Sequence, residues 1–288
     1  MLPTRGRHVL VDRLFVSLAK TASQPDLIEV IIYVDEDDLD SHNLNSDFLK
    51  VTRIIGPKAS MGSYNSICYD AAQGDIIMLI NDDMVINTSG WDEKIIEFDA
   101  KISDKIYLIY VNDLFKGRNL CTFPILSRRT CEFLVEPYPK EYQGAFIDYH
   151  LFDIFKRLQH AGFDRIHYMS DVVFEHLHYR SGKALFDETY AKRGRFDDDS
   201  TFLALINSRK KSADRLLRIL CGDESQNLYT PKRSAIKKIP VSPLNAIVAL
   251  TQDLLFDRGL PLRWRSYLWV WFIGRLMASR GMLWPFVR

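Results

Sequence analysis

The sequence predicts an α/β protein, a mostly parallel sheet with helices on both faces, followed by a C-terminal helical extension. Three observations predict this. Short β-branched apolar runs alternate with stretches of helical spacing. Acidic residues cluster where the apolar runs end, the edge at which open α/β sheets bind ligands. The charge also changes sign near residue 208: residues 209–288 hold 15 Lys/Arg against 5 Asp/Glu, while the rest holds 23 against 32.

The elements follow in order. Arg7 to Lys20 places Val9, Leu10, Leu14, Leu18 and Ala19 at helical spacing. Ile28 to Val34 reads as a buried strand running into Asp35-Glu36-Asp37-Asp38, and Val51 to Ile55 as a second strand. Tyr64 to Gln73 is a helix with Gly74 as its stop. Ile76 to Ile80 is a strand ending in Asn81-Asp82-Asp83. Trp91 to Ala100 is helical and Ile106 to Val111 extended. Asp148 to Ala161 forms a helix closed by Gly162, and Asp171 to Phe174 a last short strand before Glu175-His176-Leu177-His178.

With 288 residues and 47% hydrophobic content the chain can bury a sizeable core without disulfides. The four cysteines form no C-x-x-C pair, so free thiols in a reducing cytoplasm are expected and structural zinc is not. MLPTRGRHVL has no apolar run suited to a signal peptide.

Adjacent carboxylates are costly to desolvate, and a divalent cation on a diphosphate is one reason for a pocket to hold Asp82 and Asp83. A solvated turn is the competing reading, and for the motif alone it is preferred. A carboxylate after Val34 suits a base N–H or a ribose hydroxyl; for Glu36 and Asp38 an exposed acidic loop is preferred. Asp148 opens a helix, where the dipole favours an acid whether or not it acts as a base. His176 and His178, two apart, face the same way, as a metal site would need.

The ordered set Pro3-Thr4-Arg5, Val34-Asp35, Asn65 with Ala71-Ala72-Gln73-Gly74-Asp75, Asn81-Asp82-Asp83, Asp148, Ala161-Gly162-Phe163 and Glu175-His176 resembles family 2 inverting glycosyltransferases of the GT-A fold, over roughly the first 200 residues. The resemblance implies a metal-assisted transfer of sugar from a UDP-, GDP- or dTDP-sugar to a glycan or lipid-linked hydroxyl. Pro3, Thr4, Arg5, Asp35, Asp37, Asn65, Asn81 and Asp82 would then hold the nucleotide sugar. Asp83 and His176, with His178 as the alternative, would hold Mn²⁺ or Mg²⁺, and Asp148 would be the base. Asn81 stands where the family carries an acid, and only Met1-Leu2 precedes the Pro-Thr loop where a full strand is usual. Arg180, Lys183 and the stretch Asp187 to Tyr190 would form a loop over the donor. The rivals are a sugar nucleotidyltransferase, poorly matched because Gly6 stands alone, and a non-catalytic nucleotide-binding scaffold.

The expected organisation is a catalytic domain over 1–208 and a basic, Trp-rich extension over 209–288. The apolar stretches Leu244 to Phe256 and Tyr267 to Met277 are too short to cross a bilayer. Trp264, Trp269, Trp271 and Trp284 among Arg263, Arg265, Arg275 and Arg280 suit either a membrane interface on its cytoplasmic side, or packing on the body or in an oligomer. No nucleic-acid motif accompanies the charge.

Overall fold

The computed structural model describes residues 1–184, 194, 196–223, 225, 237 and 242–281. β1 (Leu2–Thr4), β2 (Glu29–Asp35) and β3 (Lys50–Gly56) pair in parallel. A second ladder contains β4 (Ile76–Met78), β5 (Met84–Ile86), β6 (Leu108–Asn112), β7 (Ile125–Ser127) and β8 (Ile166–His176), in the order β4-β7-β6-β8-β5. The Met1 amine donates to Met78 O at 2.8 Å and the Ile80 N–H donates to Met1 O at 3.1 Å, joining the ladders. One residue bonded to two residues two apart is the pattern of a parallel pair. β1, β2, β3, β4, β6 and β8 therefore run one way, with β5 and β7 opposed. The mostly parallel sheet expected from the alternation is present.

Side chains of a strand alternate between faces, and here they feed two cores. Val30, Ile32 and Val34 of β2, with Ile109 and Val111 of β6, meet α1 (His8–Thr21) and α3 (Trp91–Lys101). Ile31 and Tyr33, with Leu108 and Tyr110, meet α2 (Met61–Ala71) and α5 (Ile147–His160). α1 buries Val11, Leu14, Phe15 and Leu18, whereas Val9, expected inside, is exposed. Ser60 caps α2 by accepting from Ser63 N–H at 3.1 Å. α5 ends as expected: Gly162 has φ +95°, and the Phe163 N–H reaches back to Leu158 O at 2.9 Å.

Some local expectations change. Gly74 does not stop α2, which ends at Ala71; its N–H instead donates to Glu29 Oε1 at 2.8 Å. The strand expected at Asp171 to Phe174 extends over Ile166–His176, because its first half pairs with β6. β5, β7 and the short α4 (Arg128–Phe133) were not anticipated.

The C-terminal helices are α6 (Asp199–Ala204), α7 (Ile206–Leu220), α8 (Pro243–Leu250), which continues into a π-helical turn at Thr251–Leu255, and α9 (Leu262–Ser279). Position 208, the expected boundary, lies inside α7, which packs along α5. Phe202, Leu216, Trp264, Leu268 and Phe272 belong to the same buried cluster as α5. The tryptophans of α9 thus pack on the body; Trp284 lies outside the described residues. Among the described residues no helix is long and apolar enough to cross a membrane.

The junction is ionic at its centre. Asp153 of α5 is 1% exposed. Its Oδ2 accepts from Arg157 at 3.1 Å and from Arg209 of α7 at 2.9 Å, and its Oδ1 accepts from the Trp264 indole of α9 at 3.0 Å. Arg157 also reaches Asp257 at 2.9 Å. Burial pushes the Asp153 carboxyl upward in pKa, but Arg157, Arg209 and the indole outweigh it and hold the group below its ordinary value. A depressed folded-state value gives stability that is full above the unfolded value, about 4, and is lost as pH falls below it. Asp153→Asn leaves buried guanidiniums facing an amide and is expected to cost about 3–5 kcal/mol in urea unfolding at pH 7. The gap from wild type should narrow below about pH 4. Equal stability at pH 7 would show that the network contributes nothing.

Candidate active site

The shared strand direction delivers the ends of β1, β2, β4, β6 and β8 to one edge of the sheet. After β1 the chain turns through Gly6 at φ +63°, a left-handed value that suits glycine. The turn is tied to both acidic clusters. Thr4 Oγ1 donates to Asp82 Oδ2 at 2.8 Å, and Arg7 donates to Asp82 Oδ1 at 2.9 Å. The Gly6 N–H donates to Asp38 at 2.6 Å. Arg5 bonds Asp35, and its second terminal nitrogen bonds Asp37 at 2.7 Å. Tyr64 of α2 donates its hydroxyl to the other Asp35 oxygen at 2.6 Å.

Thr4, Arg5, Asp35, Asp37 and Asp82 are therefore one cluster, with Pro3 in β1 beside them. Asp35 is buried and Asp37 exposed. Asp38, expected on an exposed loop, is 9% exposed because it holds the Gly6 amide; Glu36 is exposed as expected. Asn65 is buried on α2, and its Oδ1 has no partner among the described residues. Asn81 is exposed at the end of the β4 segment. Burial raises the Asp82 carboxyl above its ordinary value and Asp83 adds to this, while Arg7 and Thr4 pull it back. Asp82 is thus an anchored acid, bonded to Thr4 and Arg7.

The second group sits one residue on. Met84 of β5 faces His176 of β8 in an antiparallel pair, and the Leu177 N–H donates to Asp83 O at 2.8 Å. This register brings Asp83 Oδ1 to 3.3 Å from His176 Nε2. Both side chains are buried, and neither His176 ring nitrogen has a hydrogen-bond partner among the described residues. His178 lies with its ring 5.1 Å from that of His176, but its Nδ1 accepts from Arg180 N–H at 3.1 Å, so His176 is the better donor to a ligand. Among the described residues no three His, Cys, Asp or Glu side chains gather as a metal cage. One carboxylate and one imidazole do suit a Mg²⁺ or Mn²⁺ ion whose other positions are filled by phosphate oxygens and water. Lys183 is engaged with Glu175 at 2.7 Å and Arg180 with Tyr179 at 2.9 Å; the rest of the expected covering loop, Asp187 to Tyr190, lies outside the described residues.

Asp148 sits in the first turn of α5, half-buried, its Oδ1 accepting from the Tyr149 N–H at 2.8 Å. The Cys121 thiol donates to Asp148 O at 3.2 Å, and the Phe123 ring lies 5.3 Å from the His176 ring. Residues two apart are separated by at most about 7 Å, so the start of α5 and the Asp83–His176 pair flank one short segment.

Phe146, directly before α5, has φ +68°, a rare value for a bulky side chain. Its ring is walled by Phe202, Trp271 and Phe272 at 5.4–5.8 Å, and Arg275 lies 5.4 Å from it. Asp198 fixes the preceding loop by accepting from the Gln143, Gly144 and Ala145 amides at 2.6–2.9 Å. The C-terminal helices thus hold the turn that presents Asp148.

Two residues of the edge were not anticipated. Arg7 neutralises Asp82; a lone arginine in a helix-opening segment carries no sequence signal. Asp113 is 1% exposed and accepts from the Phe115, Lys116 and Gly117 amides at 2.6–3.0 Å and from Thr122 at 2.8 Å. This cage holds Phe115 stacked on His178 at 5.6 Å. Its signal was an Asn112-Asp113 turn after a strand, like the one at Asn81-Asp82.

No protein-family model matches the sequence, and no curated protein matches it. Among solved structures, the chain is similar to Staphylococcus aureus TarS 1–349 in complex with UDP, at 15% identity and a TM-score of 0.48, covering 98% of this chain and 90% of that one. It spans 54% of the length of a second S. aureus TarS structure. It is also similar to the mannosyltransferase PcManGT from Pyrobaculum calidifontis in complex with GDP-Man and Mn²⁺ (12% identity, TM-score 0.46, 99% and 86% covered). A third likeness is to glucosyl-3-phosphoglycerate synthase from Mycobacterium tuberculosis (13% identity, TM-score 0.42, 74% and 78% covered).

The Phe146 turn gives a testable sign. Phe146→Gly relieves about 1–2 kcal/mol of left-handed strain but forfeits about 3–5 kcal/mol of aromatic packing. The variant should be about 2 kcal/mol less stable in urea unfolding; a more stable variant would mean that strain dominates this turn.

Proposed function

We propose that the chain is a glycosyltransferase that moves sugar from a nucleotide-diphosphate donor to a hydroxyl of a glycan or lipid-linked acceptor, with inversion. One observation carries this reading: the buried Asp83–His176 pair, whose imidazole makes no hydrogen bond among the described residues, stands at the sheet edge beside the Thr4-Arg5-Arg7 turn and across a short segment from Asp148. Asp35 and Asp37 face the base and ribose, and Pro3, Thr4, Arg5, Asn65, Asn81 and Asp82 complete the donor cradle. The acceptor oxygen bonds to the anomeric carbon as the bond from that carbon to the diphosphate oxygen breaks. The electron pair leaves with the diphosphate, and the acceptor proton passes to Asp148. A divalent cation held by Asp83 and His176, when bound, supplies positive charge against the departing diphosphate. Arg5 is far more exposed than Asp35 and would exchange its carboxylate partners for phosphate when the donor binds.

A scaffold that binds nucleotide without turnover is favoured by one observation: Arg5, Asp35 and Asp37 already satisfy one another. Thermal shift and donor hydrolysis with UDP-, GDP- and dTDP-sugars, in Mn²⁺ or EDTA, decide between the readings. One donor class is expected to raise the melting temperature and be hydrolysed slowly, both effects being lost in EDTA and in Asp83→Ala. Binding without hydrolysis or transfer would favour the scaffold, and no shift with any donor would end both readings.

A lipid-linked acceptor is supported by α8, α9 and the turn between them. Leu244, Val248, Phe256, Leu262 and Val270 are exposed apolar side chains, and Arg258 and Arg263 are exposed beside them. Leu262, Ser266 and Val270 lie four apart, on one outward face of α9. The protein is expected to sediment with phosphatidylglycerol vesicles at low salt, and Leu262→Asp with Val270→Asp should release it. Unchanged sedimentation of the double variant would place the contact elsewhere.

A further inference from the structure

Four aromatic rings form a near-parallel stack between α5 and α9. Tyr149 lies 4.7 Å from Trp271 and 6.2 Å from Trp264, at interplanar angles of 27° and 17°. Tyr267 lies 5.4 Å from Trp264 and 5.8 Å from Trp271, at 26° and 18°. Trp264, Tyr267 and Trp271 recur at spacings of three and four, so one flank of α9 carries all three. The stack is anchored at its floor, where the Trp264 indole donates to the buried Asp153. Its rim is open: the Tyr149 and Tyr267 hydroxyls meet 3.0 Å apart in solvent, and Tyr267 is 44% exposed.

A stack serving only to join two helices would bury its rings. This one leaves a tyrosine pair at the surface, and Tyr149 directly follows Asp148, the proposed base. A pyranose has a complementary form, with a flat C–H face for an aromatic ring and a rim of hydroxyls for the phenolic oxygens. Tyrosine and tryptophan join an apolar face to a polar edge in the same way. We infer that Tyr149, Tyr267 and Trp271 form a saccharide-binding platform that seats a sugar ring of the acceptor beside Asp148. The inference rests on the transferase reading for the ring's role and on the stack itself for its binding. Acyl chains fit less well: they have no hydroxyls to meet the phenol pair.

The test uses the full chain and tryptophan fluorescence during titration with cellohexaose, chitohexaose, mannohexaose and maltohexaose. At least one is expected to shift the emission saturably. Tyr267→Ala should weaken that ligand about tenfold, the scale of one lost aromatic stack, while Tyr267→Phe, which keeps the ring and loses the hydroxyl, should fall between Tyr267→Ala and wild type. Because Tyr267 is exposed, a matching melting temperature is expected and guards against misfolding. No binding by any of the four sugars, or undiminished binding by Tyr267→Ala, would overturn the platform. So would a Tyr267→Ala defect confined to vesicle binding. Thermal shift of the wild-type chain with UDP- and GDP-sugars reads the donor side separately. Saccharide binding without donor binding removes the transferase but keeps the platform; donor binding without saccharide binding does the reverse.

Discussion

The buried carboxylate of Asp153 is the interaction on which the arrangement depends. It sits on the inner face of α5 and gathers a guanidinium from its own helix, a second from α7 and an indole from α9. Two buried cations without that anion would face a desolvation cost that no nearby apolar contact offsets. The C-terminal helices are consequently part of the body. A chain ending at residue 208 would cut α7 before Arg209, remove the Trp264 donor and strip the walls from Phe146. The helix that presents Asp148 and the helices behind it should therefore unfold together.

The second constraint is strand direction. Parallel strands end on the same side, so acids that sequence places at strand ends become neighbours in space. Their charge is managed unequally. Asp82 is held by Arg7 and Thr4, Asp35 by Arg5 and Tyr64, and Asp113 by backbone amides. Asp83 instead faces an imidazole, a side chain that commonly binds metal ions. That difference singles out Asp83 and His176 as the pair suited to an incoming ligand.

The sequence showed the sheet clearly because its long strands are apolar on both faces, as β2 and β6 are. It showed α5 through its strong periodicity and the glycine behind it. Three-residue strands such as β5 and β7 carry too little pattern to be read, although β5 sets the Asp83–His176 register. The acids of the edge were legible because two carboxylates after an apolar run are unusual. Their arginine partners were not, since a guanidinium several residues along a loop can reach in many directions. Asp38 was misjudged because its amide partner, Gly6, is 32 residues away. The change of charge at residue 208 was real but marked no structural division, because the basic residues that begin the tail include Arg209, drawn inward by Asp153.

The caged Asp113 has a consequence for how a ligand is received. Three backbone amides and the Thr122 hydroxyl fix its carboxylate, so Phe115 and the histidines it covers are held before anything arrives. Arg5, by contrast, is 43% exposed and holds Asp37 in water, where such pairs are screened and readily exchanged. In the proposed site the Phe115 and histidine part is fixed and the Arg5 part is movable, like two jaws of a clamp. Ordering entropy is lost mainly at the movable jaw, and adjustment to the shape of the guest should come from there.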